Sequence, residues 1–166
     1  MPVREVLLLG NPRLYEVSEP VKTHELDQLR GVVNDLHETL MDFRERYEAG
    51  RAIAAPQIGV MKRLIYMQIE EPFVFLNPVL TDKSQEMMTL WDDCMCFPDL
   101  LVKLERHQTC TIFYRDMDWR EQEMRLESDL SELLQHECDH LDGILATSRA
   151  LDERSFALKS QKEFLS

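Results

Sequence analysis

The sequence lacks any apolar run as long as the roughly 18 to 20 residues that a membrane-crossing helix needs. Its first five residues, Met1 to Glu5, also lack the basic start and the long apolar centre of a secretory signal peptide. We therefore expect a cytoplasmic protein with no membrane partner. There is no internal repeat, low-complexity segment or linker, so residues 1–166 are expected to form one domain.

Basic residues are scarce beside acidic ones, because 19 Lys and Arg stand against 31 Asp and Glu. A nucleic-acid partner needs a basic surface for its phosphates, so this balance argues against one. Cysteine is scarce too, and four residues are too few for a disulfide scaffold. Free or metal-binding thiols in a reducing compartment are the expectation. The hydrophobic content of 44 % argues against disorder and for a buried core.

Apolar periodicity predicts a long amphipathic helix followed by a series of strands. After Thr23, a predicted N-cap, apolar residues recur at helical spacing to about Gly50. Short apolar segments between residues 64 and 127 predict strands, with residues 73–75 and 78–80 as separate pieces.

A second helix is predicted to begin at Ser128 or Asp129 and to end near Leu141, before Gly143. A last short helical stretch is predicted to begin at Asp152. Mixed or antiparallel strands around one buried helix make an α+β fold.

The second predicted helix carries two histidines four residues apart, with a glutamate directly after the first. On a helix, His136 and His140 lie one above the other on one face, so both can bind one metal ion. Glu137 points toward the same site and can accept a proton from a water molecule on that ion. The alternative is a charged helix face that binds nothing.

A catalytic metal site of this kind needs a third protein ligand and one open position. Upstream, Cys94 offers a thiolate, which suits Zn²⁺ or Fe²⁺. No histidine follows His140, and the only later glutamates are Glu153 and Glu163. A zinc endopeptidase would use one of them. For Cys94 and Cys96, the alternative is two buried, small apolar side chains.

Three motifs in this order resemble those of the peptide deformylase family. They are Gly50-Arg51-Ala52-Ile53-Ala54-Ala55-Pro56-Gln57, Asp92-Asp93-Cys94-Met95-Cys96 and Gln135-His136-Glu137-Cys138-Asp139-His140-Leu141-Asp142-Gly143. Arg106 resembles the family's arginine after the second motif. The resemblance spans nearly the whole chain and implies a deformylase-like fold around the metal-binding helix.

The resemblance implies that Cys94, His136 and His140 hold one metal ion per chain. In this family the ion is usually Fe²⁺, with Zn²⁺ or Ni²⁺ as substitutes.

The resemblance also implies a catalytic set. Glu137 would be the general base that passes its proton to the leaving amine. The side-chain amide of Gln57 and the backbone N–H of Met95 would stabilise the oxyanion. The implied reaction hydrolyses an N-formyl group and releases formate. Its implied substrate is the formyl-methionine end of a new polypeptide, on ribosome-associated chains, or a small N-formyl compound.

The sequence departs from the family beside these residues. Asp93 stands in place of a glycine and adds bulk and negative charge. Asp92 is one methylene shorter than the family's glutamate, Cys96 replaces a serine, and Ala52 replaces the second glycine of the first motif.

Further departures affect the wall expected to hold the methionine side chain. Arg51 stands where the family has valine or isoleucine, and Asp129 and Glu132 replace apolar residues. These acids either form a capping box, with Asp129 as N-cap, or make a polar pocket in which Arg51 pairs with one of them. Residues predicted to bind substrate are Arg51, Ala52, Ile53, Asp92, Asp93, Arg106, Glu132 and Leu133.

Three functions remain open at this point. The first is a deformylase-like hydrolase with a more polar pocket, acting on formyl-peptides or on another N-formyl or N-acyl compound. The second is an inactive relative that binds peptide or metal, although such a protein needs neither Glu137 nor Gln57. The third is a zinc endopeptidase with Glu153 or Glu163, rather than Cys94, as a ligand.

Overall fold

The computed structural model describes residues 3–166, and within them it has the predicted α+β class. The helices are α1 (Leu26–Tyr47) and α2 (Ser128–Leu141). The strands are β1 (Ala52–Ala54), β2 (Leu64–Gln68), β3 (Pro72–Thr81), β4 (Met87–Asp92), β5 (Leu100–His107), β6 (Thr109–Arg115), β7 (Glu121–Glu127) and β8 (Phe156–Leu158). Short 3-10 helices occupy Pro12–Tyr15, Thr23–Glu25, Ala55–Ile58, Ala146–Arg149 and Lys159–Phe164.

The strands form two sheets, with orders β1-β2-β3-β6-β7 and β4-β5-β8. Every ladder between these strands is antiparallel. The two pieces predicted at residues 73–75 and 78–80 belong to one strand, β3. They look separate in the sequence because Asn77-Pro78 interrupts the apolar run. At the same place the pairing of β3 with β6 shifts, between Leu76 and Val79. Pro78 cannot donate to the ladder, and such residues are found at irregularities of this kind.

Helix α1 covers the first sheet and matches the predicted long helix. Its buried face includes Leu36, Leu40 and Phe43, which belong to the same apolar cluster as Ile53 and Leu64. Thr23 is not its N-cap, because residues 23–25 form a 3-10 turn before α1 begins.

Helix α2 lies in the interior, so its side chains reach both sheets. Leu134, Cys138 and Leu141 are buried in a cluster with strand residues such as Phe75. The helix is followed by Gly143 at φ 71°, where a Cβ would clash with the carbonyl oxygen of Tyr15. Only glycine fits that position, because the close approach leaves no room for a side chain. The chain therefore fixes α2 by burial along its length and by a tight turn at its end.

The last segment differs from the predicted helix at Asp152. Phe156–Leu158 is a strand that pairs with β5, with Phe156 opposite Val102 and Leu158 opposite Leu100. The apolar residues at 156 and 158 have the two-residue spacing of a strand. A 3-10 helix rather than an α-helix follows at Lys159–Phe164.

All four cysteines are free and buried, as the expectation of unpaired thiols requires. Within residues 3–166, no helix combines the length and apolar character needed to cross a membrane.

Candidate metal centre and substrate pocket

One face of α2 presents two imidazoles to the sulfur of Cys94. The Nε2 atoms of His136 and His140 are 3.2 Å apart, and Cys94 Sγ is 3.3 Å from His140 Nε2. The three candidate ligand atoms all lie within 4.8 Å of one another, and all three residues are buried. The structure therefore brings together the three predicted ligands.

Cys94 reaches α2 because the chain leaves β4 in a tight, hydrogen-bonded turn. The N–H of Phe97 donates to the carbonyl of Cys94 at 3.1 Å, and the N–H of Leu9 donates to the carbonyl of Cys96 at 2.9 Å. The N–H of Cys96 also donates to Cys94 Sγ at 3.4 Å. Backbone contacts thus hold the sulfur in place.

The chemistry of the three donors fits a divalent metal ion. Burial, reinforced by Cys96 and Glu137, raises the pKa of the Cys94 thiol well above its usual value. A sulfur in this position ionises when a cation lies against it. Burial, followed by the charge of His136, lowers the pKa of His140 well below its usual value. Burial lowers the pKa of His136, but Asp92 outweighs burial and raises it to about 9, so an ion bound here would displace a proton from His136 as well as from Cys94. One thiolate with two neutral imidazoles suits Fe²⁺ or Zn²⁺.

A buried ion-pair chain supports His136 from behind. Asp92 Oδ2 lies 2.8 Å from His136 Nδ1, which leaves Nε2 directed at the other ligand atoms. Arg106 donates to Asp92 at 3.1 Å and to Asp139 at 2.6 Å. Although burial raises the pKa of Asp92, His136 and Arg106 lower it to about 2. Arg106, predicted to bind substrate, is only 3 % exposed and is not among the residues that line the pocket, so the structure places it behind the ligands.

Glu137 is buried beside the ligands and faces the same pocket. Burial raises the pKa of its carboxyl to about 7, although the charge of His136 opposes that shift. Among residues 3–166, its Oε1 atom has no hydrogen-bond partner. A carboxylate with a free oxygen and a raised pKa has the properties of a general base.

Gln57 and Met95 offer hydrogen-bond donors to the same space. The Oε1 atom of Gln57 accepts from the N–H of Ala54 at 2.8 Å, so its NH₂ group faces the other way. Nε2 lies 3.5 Å from Cys96 Sγ and 3.9 Å from Cys94 Sγ. In the part of the chain that the structure describes, the backbone N–H of Met95 donates to no other group.

A cavity of about 340 Å³ opens over these groups. Its wall is formed by Phe43, Glu48, Ala49, Gly50, Arg51, Ala52, Gln57, Asp92, Asp93, Cys94, Met95, Glu132, Leu133, His136, Glu137 and Lys159. Ile53, predicted to bind substrate, is not on this wall, because its side chain is fully buried in the core under α1. Glu48 and Lys159 are on the wall without having been predicted, since neither lies in a motif.

An ion pair crosses the pocket wall between Arg51 and Glu132. Arg51 Nη2 lies 2.6 Å from Glu132 Oε1, with the two side chains 40 % and 11 % exposed. Burial raises the pKa of Glu132, an effect that Arg51 opposes. Glu127, not Asp129, is the N-cap of α2, and it makes no side-chain capping bond. Of the two interpretations of the acidic residues, the structure contains the ion pair and not the capping box.

Asp93 also has a cationic neighbour, because Lys159 Nζ lies 3.4 Å from its carboxylate. The Asp93 side chain is about half exposed, at 49 %, so it stands at the mouth of the pocket. Asp93 is not among the residues of positive φ within positions 3–166. The backbone there accommodates an aspartate in place of glycine without strain.

The glutamates that an endopeptidase would use are elsewhere. Glu153 and Glu163 are exposed in the C-terminal segment. Within residues 3–166, the group of side chains able to hold a metal ion is Cys94 with the two histidines of α2. The endopeptidase alternative therefore has no ligand of the kind it requires.

Comparisons with known proteins point to one family. The family model for polypeptide deformylase matches residues 3–155. A peptide deformylase of Erythrobacter litoralis is 32 % identical over an alignment that covers 87 % of this chain and 88 % of the relative.

Two solved structures have the same fold. The Synechococcus elongatus peptide deformylase in complex with actinonin has a TM-score of 0.84 at 26 % identity, over 92 % of this chain and 81 % of that one. A class I type b peptide deformylase from Acinetobacter baumannii with Met-Ala-Ser bound has a TM-score of 0.81 at 27 % identity, over 89 % and 98 % of the two chains. Sequence and structure together establish that this chain belongs to the polypeptide deformylase family.

Proposed function

We propose that this protein is a metal-dependent hydrolase that removes the formyl group from the N-terminus of formylated peptides, including new polypeptide chains. The products are formate and a free amine. The observation that carries the proposal is the convergence of Cys94, His136 and His140 within 4.8 Å beside the buried carboxyl of Glu137.

One ion per chain is proposed for the three donors, with Fe²⁺ as the first choice and Zn²⁺ or Ni²⁺ as substitutes. A single thiolate among imidazoles suits ions of this softness better than it suits Mg²⁺ or Ca²⁺. When bound, the ion supplies Lewis acidity, which polarises the formyl carbonyl and makes water a better nucleophile.

Glu137 moves the proton in the proposed mechanism. Its free Oε1 accepts a proton from the attacking water and then delivers it to the nitrogen that leaves. Burial makes this carboxylate a better proton acceptor than an exposed glutamate, because it raises the pKa of the group.

Gln57 and Met95 act on the oxygen of the formyl group. As the carbonyl is attacked, negative charge develops on that oxygen, and preorganised N–H donors stabilise it. The bond from Ala54 N–H to Gln57 Oε1 supports this role, because it holds the amide with its NH₂ toward the site.

The pocket for the first side chain is proposed to be more polar than a methionine pocket. The Arg51–Glu132 and Asp93–Lys159 pairs on its wall support this. The same pairs keep open a second candidate substrate, an N-formyl compound other than formyl-methionyl peptide.

Formate release from formyl-Met-Ala-Ser and from peptides with polar first residues tests the activity, with metal content measured on the same samples. Glu137→Ala should retain the ion and lose formate release with every peptide. Equal rates in the Glu137→Ala and unchanged proteins would show that catalysis does not occur at this site.

A further inference from the structure

We propose that the pocket selects a cationic first side chain and that Glu132 is the residue that recognises it. This inference rests on the proposed function, because it concerns the side chain next to the nitrogen that deformylation frees.

Glu132 is placed to contact a substrate side chain. It lies one helical turn before His136 on α2, and both residues line the same cavity. Its Oε1 atom accepts from Arg51, whereas Oε2 has no hydrogen-bond partner among residues 3–166. An ionised carboxylate accepts several hydrogen bonds, so Oε2 remains available to a donor in the cavity.

Arg51 lies among more negative charge than it neutralises. Burial lowers the pKa of its guanidinium, but Glu132, followed by Asp129 and Asp93, raises it. Arg51 also borders a second cleft, whose lining includes Glu70 and Glu71. An added carboxylate would meet this field as a like charge, whereas an added cation would be attracted by it.

The pocket mouth has the same excess of negative charge. Asp93 is balanced by Lys159, but Glu48 on the same wall has no cationic partner among residues 3–166. Apart from the acids of the metal centre, the wall carries three carboxylates, Glu48, Asp93 and Glu132. It carries two cationic side chains, Arg51 and Lys159. One substrate cation would complete the charge balance of this wall.

The apolar part of the wall suits the stem of a long cationic side chain. Leu133 and Phe43 line the cavity and are only 7 % and 6 % exposed. Lysine commonly packs its methylene stem on such surface while its ammonium reaches a polar partner. A methionine side chain would cover the Arg51–Glu132 pair without forming a hydrogen bond to it. The charged atoms would then lose bound water with no new hydrogen bond to compensate the desolvation cost.

The test uses four formylated tripeptides, formyl-Xaa-Ala-Ser, in which Xaa is lysine, glutamine, norleucine or glutamate. Norleucine represents methionine in shape without its sulfur. We expect kcat/KM to fall in that order, with lysine at least about tenfold above norleucine.

The outcomes separate the two proposals. Formate release with norleucine equal to or better than lysine overturns the cationic pocket and leaves the deformylase function intact. The absence of formate from all four peptides, with one ion bound per chain, overturns both.

A substitution at Glu132 tests whether this residue causes the preference for lysine. Glu132→Gln keeps the shape of the side chain and removes its charge, so the lysine-to-norleucine ratio of kcat/KM should fall about tenfold or more. Glu121→Gln is the matched control, because it removes an exposed glutamate that pairs with Arg115 at 3.1 Å outside the pocket. Its ratio should not change.

The ratio compares two substrates on one protein, so partial unfolding or metal loss cancels. Competitive inhibition of the unchanged protein by Lys-Ala-Ser and norleucine-Ala-Ser gives the same comparison without a variant. Tighter binding of the norleucine peptide, or a ratio unaffected by Glu132→Gln, contradicts the inference.

Discussion

The two sides of the pocket hold their charges differently. On the metal side, Asp92 and Arg106 are almost fully buried and bonded to each other, and Asp92 orients His136. On the side proposed to bind substrate, Arg51 and Glu132 form a partly exposed ion pair. The metal side thus fixes its charges in a buried chain, while the other side leaves an ion pair that a ligand in the cavity can reach. We infer that the two walls have separate roles, because the buried chain orients a metal ligand and the partly exposed pair can contact a substrate side chain.

The largest effect is expected at the metal side, from Cys94→Ser. Replacing the thiolate removes the softest of three ligands, so bound metal and formate release should both be lost. Metal content per chain measures this after purification and dialysis. Cys138→Ser, on α2 but outside the ligand group, should keep one ion, and an ion retained by Cys94→Ser contradicts the assignment of the third ligand.

Gln57→Ala tests whether the same side stabilises the oxyanion. Loss of one such donor lowers kcat by about 10²- to 10³-fold, and KM should change little. Steady-state kinetics on metal-loaded protein measure kcat and KM separately. Gln28→Ala, at an exposed position, is the control. A change in KM alone would assign Gln57 to substrate binding instead.

Asp92→Asn should weaken metal binding by about 10- to 100-fold, because the carboxylate that orients His136 loses its charge. A competition titration with a chelator of known affinity measures the change. Asp27→Asn removes an exposed carboxylate on α1 and should have no effect. Unchanged metal affinity in Asp92→Asn would mean that the buried chain behind His136 is not part of the metal centre.

The smallest effect is expected on the substrate side, and it concerns stability. Arg51→Ile leaves Glu132 buried without its partner and should lower the free energy of unfolding by about 1 kcal/mol, since Arg51 is partly exposed and solvent screens the pair. The double variant Arg51→Ile with Glu132→Ile should recover that loss, because an apolar pair needs no charge compensation. Urea unfolding at matched metal loading measures both. A double variant less stable than the unchanged protein would show that the ion pair itself stabilises the wall.

The sequence predicted the parts of the site that depend on local spacing. His136 and His140 are four apart on one helix, so their common face followed from helix geometry alone. Pairing of Cys94 with them came from a resemblance of motifs, because 42 positions separate the cysteine from the first histidine. The ion pair of Arg51 with Glu132 was one of two interpretations, since the spacing of Asp129 and Glu132 fits a capping box equally well.

What the sequence could not predict depends on contacts between distant segments. Lys159 reaches the pocket because β8 pairs with β5, and that pairing turns a predicted helix into a strand. Ile53 lies within a motif, yet neighbouring strand residues point to opposite faces, and its side chain enters the core. Arg106 was assigned to substrate by position, whereas burial places it behind the ligands.

The most direct test of the account is metal-dependent formate release by one preparation in three states. Protein with one Fe²⁺ per chain should release formate from a formylated tripeptide. The same protein after chelation should release none, and addition of Fe²⁺ should restore the rate. Formate release that survives complete removal of the ion, or no release from any formylated peptide with the ion bound, would contradict the assignment of this pocket as a deformylase centre.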